Sequence, residues 1–449
     1  MVIKDLTKEA VQRSIRATLD DVENRRTRER YDNLNYYEGM VSNMEQDIMQ
    51  YFDSDSLRQT PPVIEGITSK IIDSRCKVHL YPIERQADDR YNDYIQDLDS
   101  ALLQLERLTY LLGTMAMKCY WDENKQKVNY QPLVEFYPIF LDGKEDPVAC
   151  MYPLYNHSTK STDQVFAFWS DEDHYLISGD GKIFYTEENP EGLNPYGKKP
   201  IFYSHTKPLT TDWFREGASD IVNMNRTINI MLTEMSLAMR LQMLGQPVIS
   251  GVDLYDSSKL RLGADKPIVI SEGDFKFEAP GGNLGQYIEA MRFLVDSTAY
   301  NHSLKTKWSV GREAFVSGES LKMAEMELTQ SVMLDAQMIW KPLEYKRYEI
   351  ERAIIEYEAG VTLDEELSVD YQEPVVPLTA QEERADWEFK WKHGLASKKD
   401  WYRVNNPDAP DETVEEIMDQ VTEEGTPQGE EVNRTRLNLS NALNVDDDT

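Results

Sequence analysis

The chain is short of cysteine, histidine and positive charge. Its 449 residues include three cysteines, Cys76, Cys119 and Cys150, an odd number too widely spaced for a disulfide framework; this suits a reducing compartment. Six histidines are scattered, and no His/Cys pair has zinc-ligand spacing, so neither a structural metal nor a cofactor is expected. Lys and Arg total 48 against 80 Asp and Glu, a formal net charge of -32. Such a molecule repels nucleic acid and anionic membranes as a whole, and any contact with DNA must be local. No window approaches the roughly 18 consecutive apolar residues that span a bilayer, and the N-terminus turns polar at once. A soluble protein made in cytoplasm is the expectation.

Catalytic signatures are also missing. There is no Walker A loop, and Gly181-Lys182 lacks both the glycine spacing and the following Ser or Thr, so it reads as a turn. Acidic pairs such as Asp88-Asp89 and Glu382-Glu383 are expected by chance among 80 carboxylates and read as solvated faces. The expectation is a protein that is not an enzyme.

Apolar residues make up 40% of the chain, enough for a sizeable core. Spacings of three and four predict a helical stretch over Thr7–Phe52, within which Asn35-Tyr36-Tyr37-Glu38-Gly39 suits a helix C-terminus, and another helix over Ile64–Tyr81 that runs into an extended segment. A third is predicted over Asp88–Met117, with Leu98, Leu102, Leu105 and Leu108 on one side. From Lys118 to Tyr203 the segments are short, β-branched or aromatic, with a hairpin expected around Gly179–Gly181. A Met-rich helix follows over Ala218–Leu244, in which Met231, Met235, Met239 and Met243 recur every four residues. Methionine stripes read as adaptable packing, here between rods of neighbouring copies.

Next come a Gly/Pro-bounded module with strand candidates at Pro247–Ser250 and Pro267–Ser271, a return helix over Leu284–Ser303, and a loop from Leu304 to Gly318 that carries Lys305, Lys307 and Arg312 around Trp308. In so acidic a chain that loop is a candidate polyanion contact, set against the plainer reading of an ordinary surface loop. Glu319–Ala359 reads as one helix, roughly 60 Å long at about 1.5 Å per residue, kinked by Pro342. Leu367–Tyr371 is a strand candidate, and Thr379–His393, Ser397–Tyr402 and Asp411–Thr422 are shorter helices. Asn405–Thr449 holds 13 acidic and 2 basic residues, and its last part, Gly425–Thr449, has the composition of a solvated tail. The fold class is α+β, mainly α.

This order of elements resembles the portal proteins, or head-tail connectors, of tailed bacteriophages, over residues 30–420. The likeness rests on Asn35-Tyr36-Tyr37-Glu38-Gly39, Thr68-Ser69-Lys70-Ile71-Ile72-Asp73, Phe136-Tyr137-Pro138, the stretch from Asn194 to Tyr203, Gly217-Ala218-Ser219-Asp220, and Ser317-Gly318-Glu319-Ser320-Leu321-Lys322. The last is similar to the Ser-Gly-x-x-Leu-Lys signature that opens the long helix of portals.

The resemblance implies a β-rich wing over residues 1–210, completed by a long kinked helix over 319–365. It implies stem helices at 211–244 and 284–303, a small α/β clip at 245–283, a tunnel loop at 304–318, and a short helical crown with the acidic tail at 366–449. It implies a dodecameric ring at one capsid vertex of a virion, assembled in host cytoplasm, through which double-stranded DNA is packaged and ejected without sequence-specific contact. Partners would be terminase large subunit, a head-tail adaptor, and major capsid and scaffolding proteins; no membrane is involved.

On this reading Lys305, Lys307, Trp308 and Arg312 face DNA, and Met231, Met235 and Met239 pack between subunits. Pro247, Val248, Ile249, Pro267 and Ile268 form a clip collar. The alternatives are another virion structural protein, such as an adaptor or minor capsid component, and an unrecognised cytoplasmic hydrolase.

Overall fold

The computed structural model describes residues 2–3, 10, 22–52, 61–81, 83–144, 146–154, 165–178, 181–244, 246–250, 274–278, 284–304, 318–372 and 380–405. The chain forms two compact units, Met1–Pro374 and Val375–Thr449. It is an α+β protein in which helix predominates. The first unit opens with β1 (Val2–Ile3), α1 (Val22–Tyr37), α2 (Val41–Met49) and α3 (Ile67–Arg75), then β2 (Ile83–Gln86), α4 (Leu98–Leu112), β3 (Thr114–Asp122) and β4 (Lys127–Leu133). Strands β5 (Tyr137–Leu141), β6 (Ala149–Leu154), β7 (Val165–Ser170), β8 (His174–Ser178), β9 (Ile183–Phe184) and β10 (Ile201–His205) follow. After them come α5 (Ser219–Leu244), β11 (Gln246–Ser250), β12 (Asp274–Glu278), α6 (Leu284–Asn301) and α7 (Gly318–Asp335). A π-turn (Ala336–Trp340), α8 (Lys341–Ala359) and β13 (Ser368–Tyr371) complete the unit.

Three helices differ from their sequence-based bounds. Within the helical stretch expected over Thr7–Phe52, Gly39, with φ 70°, ends α1 at the expected Asn35–Gly39 terminus, and a separate helix α2 begins at Val41. The extended segment expected before Pro82 contains a 3-10 turn at Val78–Leu80. The helix expected over Asp88–Met117 contracts to α4, because Gly113 with φ 85° ends it and the alternation of Met115, Met117 and Cys119 into the core makes β3. All four leucines of the expected stripe on α4 are buried.

Period-two alternation builds the strands. The larger sheet runs β1-β5-β6-β7-β8-β9, with β1 parallel to β5 and the remaining pairs antiparallel; β8 and β9 form the expected hairpin. One face buries Ile139, Met151, Phe166, Phe168 and Ile177. The other buries Cys150, Tyr152, Ala167 and Trp169 against Ala116, Leu133 and Ile201 of the three-stranded sheet β10-β3-β4. A third and larger cluster joins α3, α4, β3, β4 and the first half of α5 to Trp340, Leu343, Ile350, Ile354 and Ile355. The long helix therefore returns to close a core begun at Tyr36, at the end of α1.

Strand β13 pairs antiparallel with β2, Tyr371 opposite Ile83 and Ser368 opposite Gln86. It belongs to the first unit, in which its ladder partner also lies. In the second unit, α9 (Ala380–Lys392) ends at Gly394, φ 67°, and α10 (Lys398–Asn405) opens on a capping box. The Ser397 hydroxyl accepts from the Asp400 amide at 3.2 Å, and the Asp400 carboxylate accepts from the Ser397 amide at 2.7 Å. The helix expected over Asp411–Thr422 and the acidic tail lie outside the described residues.

Candidate functional site: the root of the helical excursion

The excursion α5–β11–β12–α6 starts where the backbone crosses the end of α4. A Cβ on Gly217 would lie 2.1 Å from the Leu111 carbonyl oxygen, and one on Gly113 would lie 2.0 Å from the Arg215 carbonyl oxygen. Only glycine permits that approach. The Ala218 amide donates to the Tyr110 and Leu111 carbonyls, both at 3.1 Å, and accounts for two of the terminal acceptors of α4.

From there α5 is embedded in its own chain, not exposed as a bare rod. Ile221, Val222, Met224 and Ile228 are buried, and beside them runs a buried polar stripe, Asn225, Asn229 and Thr233, at spacings of four. The stripe receives the extended segment before α3. The Val63 amide donates to Thr233 Oγ1 at 3.0 Å, the Glu65 amide to Asn229 Oδ1 at 3.0 Å, and the Ile67 and Thr68 amides to Asn225 Oδ1 at 2.8 and 2.9 Å. Asn225 returns a bond to the Glu65 carbonyl at 2.7 Å. Gly66 offers no side chain to cap α3, so Asn225 caps it from another helix.

Helix α6 lies antiparallel to α5. Tyr287 near its start donates to Glu234, and His302 at its end meets Asp220 at the start of α5, Nε2 to Oδ2 2.8 Å. This hydrogen bond holds the Asp220 carboxyl below the usual carboxylate range. The α6 terminus is a Schellman motif: Ser303 has φ 58°, its amide donates to the Tyr300 carbonyl at 3.0 Å, and the Leu304 amide donates to the Ala299 carbonyl at 2.9 Å.

Where a kink was expected at Pro342, the long helix passes through the π-turn. The Lys341 amide donates to the Ala336 carbonyl, five residues back, and Pro342 occupies the first turn of α8. The wider turn falls where the proline ring would otherwise meet the carbonyl four residues earlier. Beyond it, α8 is locked by buried charge. Arg347 contacts Glu344 at 2.5 Å, donates to the Tyr91 hydroxyl at 2.6 Å, and also pairs with Glu351. Glu344 takes a second arginine, Arg85, at 2.8 Å. Burial raises the Glu344 carboxyl, but Arg347 and Arg85 outweigh it and hold it at about 2. Tyr91 and Tyr130 both donate to Glu351.

The residues singled out from the sequence divide three ways. Met231 and Met235 are half-buried against the large cluster of their own chain, whereas Met239 is 40% exposed. Pro247, Val248 and Ile249 lie in β11, opposite Phe277, Lys276 and Phe275. The partner strand is thus Asp274–Glu278, whose alternation of Phe275 and Phe277 with Asp, Lys and Glu carries the signal in the sequence. Pro267 and Ile268, and the loop residues Lys305, Lys307, Trp308 and Arg312, lie outside the described residues. The Asn225, Asn229 and Thr233 stripe and the Glu344–Arg347–Glu351 group were not anticipated. Among the described residues no cluster of three or more His, Cys, Asp and Glu side chains could hold a metal ion, and Cys76, Cys119 and Cys150 are free and buried.

No protein-family model and no curated protein matches the chain. Among solved structures it is similar to a chain in the neck of an empty gene transfer agent particle computed with C6 symmetry, with 12% identity and a TM-score of 0.40, covering 80% of this chain and 93% of that one. It is similar also to a chain in the neck of the native particle computed with C12 symmetry, with 12% identity and a TM-score of 0.39 over 75% and 88% of the two chains. A chain of the native gene transfer agent virion gives 13% identity and a TM-score of 0.39 over 80% and 94%.

Proposed function

We propose that this chain is a structural subunit of a phage-like virion, a portal protein that joins copies of itself into a ring around a channel for double-stranded DNA. The observation that carries the reading is the way one core is left and re-entered. The core runs from Tyr36 through the first half of α5 as far as Ile228, the chain then goes out through β11 and β12, and Met291 and Val295 of α6 and the residues from Leu328 onward return to complete it. A body with a firmly rooted excursion supplies both a surface for lateral contact and a separate element to line or extend a channel.

The charge supports the same reading. A wall of subunits with a net charge of -32 each gives passing DNA few places to release counterions and bind. In this proposal Lys305, Lys307 and Arg312, with Trp308, are the few cationic points that touch the phosphate backbone, without reading bases. The module at 245–283 docks terminase large subunit and later a head-tail adaptor, and the body meets capsid and scaffolding proteins.

Class averages from electron micrographs of the purified protein test the reading. Rings with a central hole and about twelvefold symmetry are expected. Compact particles without a hole at high concentration would overturn it in favour of an adaptor or a hydrolase. With rings in hand, alanine at Lys305, Lys307 and Arg312 together should leave assembly intact and impair DNA packaging or retention; unchanged packaging and retention would remove the loop from the mechanism.

A further inference from the structure

The root of the excursion and the π-turn are joined by a continuous path of side chains. His302 at the end of α6 uses both ring nitrogens: Nε2 faces Asp220 on α5 at 2.8 Å and Nδ1 faces the Tyr110 hydroxyl of α4 at 2.6 Å. In a neutral ring Nε2–H donates to the carboxylate and Nδ1 accepts the phenol proton. The Arg75 guanidinium of α3 sits 5.1 Å from the centre of the Tyr110 ring. Its Nη2 donates to Ser331 Oγ and to Asp335 Oδ2 of α7, both at 2.7 Å. Asp335 is the last residue before the π-turn.

The two sides of that turn are gripped differently. At its C-terminal end Trp340, the last residue of the turn, packs edge-on against His79 at 4.6 Å, and beyond it α8 is pinned through Glu344, Arg347 and Glu351. On the near side, the polar hold on the end of α7 comes from Arg75. A π-turn contains one residue more than an α-turn, so its loss or migration rotates α7 against α8 by about 100° per residue. Whichever group holds Arg75 in place therefore selects the register of α7. Tyr110 does so from one side, and Tyr110 is held by His302.

We propose that His302, Tyr110, Arg75 and Asp335 form a coupling device, through which a displacement at the root of the excursion is converted into a change in the π-turn. The device is a property of the single chain and does not depend on ring formation or DNA.

Hydrogen exchange on the full-length protein reads both ends, in peptides covering 298–304 and 333–341. Tyr110→Phe keeps the ring and removes the link to His302; exchange is expected to rise at least tenfold in both peptides. Asp335→Asn, made at the opposite end, is expected to raise exchange in 298–304 as well. A rise confined to the end that carries the substitution would overturn the proposal. The double variant separates coupling from general loosening. An effect on 298–304 no larger than that of the stronger single variant supports one path, and multiplication of the two single effects overturns it. Both variants are near-isosteric, and a cooperative thermal transition identifies folded protein before exchange is read.

Discussion

At the scale of single residues, the closest constraints lie where backbones cross. Gly217→Ala places a methyl group 2.1 Å from a carbonyl oxygen, so the chain must separate at the start of α5. Urea denaturation should show a loss of about 3 kcal/mol or more, and wild-type stability would mean that the crossing yields freely. Ser303→Gly acts in the opposite sense, relieving a left-handed residue at a helix end; the urea midpoint should rise by the equivalent of about 1 kcal/mol with an unchanged slope.

His205 makes stability depend on pH. Burial first, then Arg215 and Lys346, pushes its imidazole down to about 4, with Asp146 opposing. Since the folded value lies below the ordinary 6.5, the unfolded chain takes up the proton first as pH falls. The stabilisation is complete above about pH 6.5 and is lost between there and about pH 4, on the order of 3 kcal/mol in all. His205→Gln should therefore lose less stability between pH 7 and pH 4.5 than the wild type does, and equal losses would assign the acid sensitivity elsewhere.

At the scale of elements, the sequence was most legible where a single period ran long. The leucine stripe of α4, the order of α5, α6 and the long helix, and the β8–β9 hairpin all follow from spacing. What was hidden was polar. Asn225, Asn229 and Thr233 have helical spacing, but on a sequence they look like a solvated face; their role depends on an extended segment some 160 residues away. The charged run in α8 likewise looks like surface i,i+4 pairs, yet Glu344, Arg347 and Glu351 are buried because Arg85, Tyr91 and Tyr130 arrive from other elements to satisfy them. The π-turn was not foreseen because a proline signals only that the regular ladder must change there. Asn225→Ala tests the stripe: it leaves two α3 amides without their acceptor, and unfolding should cost about 2 kcal/mol less, with faster exchange at Ile67 and Thr68. Unchanged exchange at those amides would mean that water replaces the cap.

At the scale of the whole molecule, the methionines of α5 become separate probes. Met231 and Met235 touch the chain's own core, so a charge at either should lower folding stability whether or not copies associate. Met239 is largely free of that core, and Met239→Lys should leave monomer stability unchanged while weakening self-association in sedimentation. Loss of monomer stability with Met239→Lys, without any change in association, would make it a packing residue like the others. Exposed Phe293 and Tyr300 on α6 lie seven residues apart, at a spacing that puts them on one side of that helix.

The core that closes late also sets an order on synthesis. A chain interrupted before Trp340, Leu343, Ile354 and Ile355 leaves α4, β3 and β4 without their cover, and the edge of β2 is unpaired until Tyr371 has emerged. Contacts that span so much chain form last, and unfinished intermediates expose apolar surface to proteolysis and aggregation. Truncated products are thereby marked for proteolysis, so that each chain is proofread for completeness by its own folding.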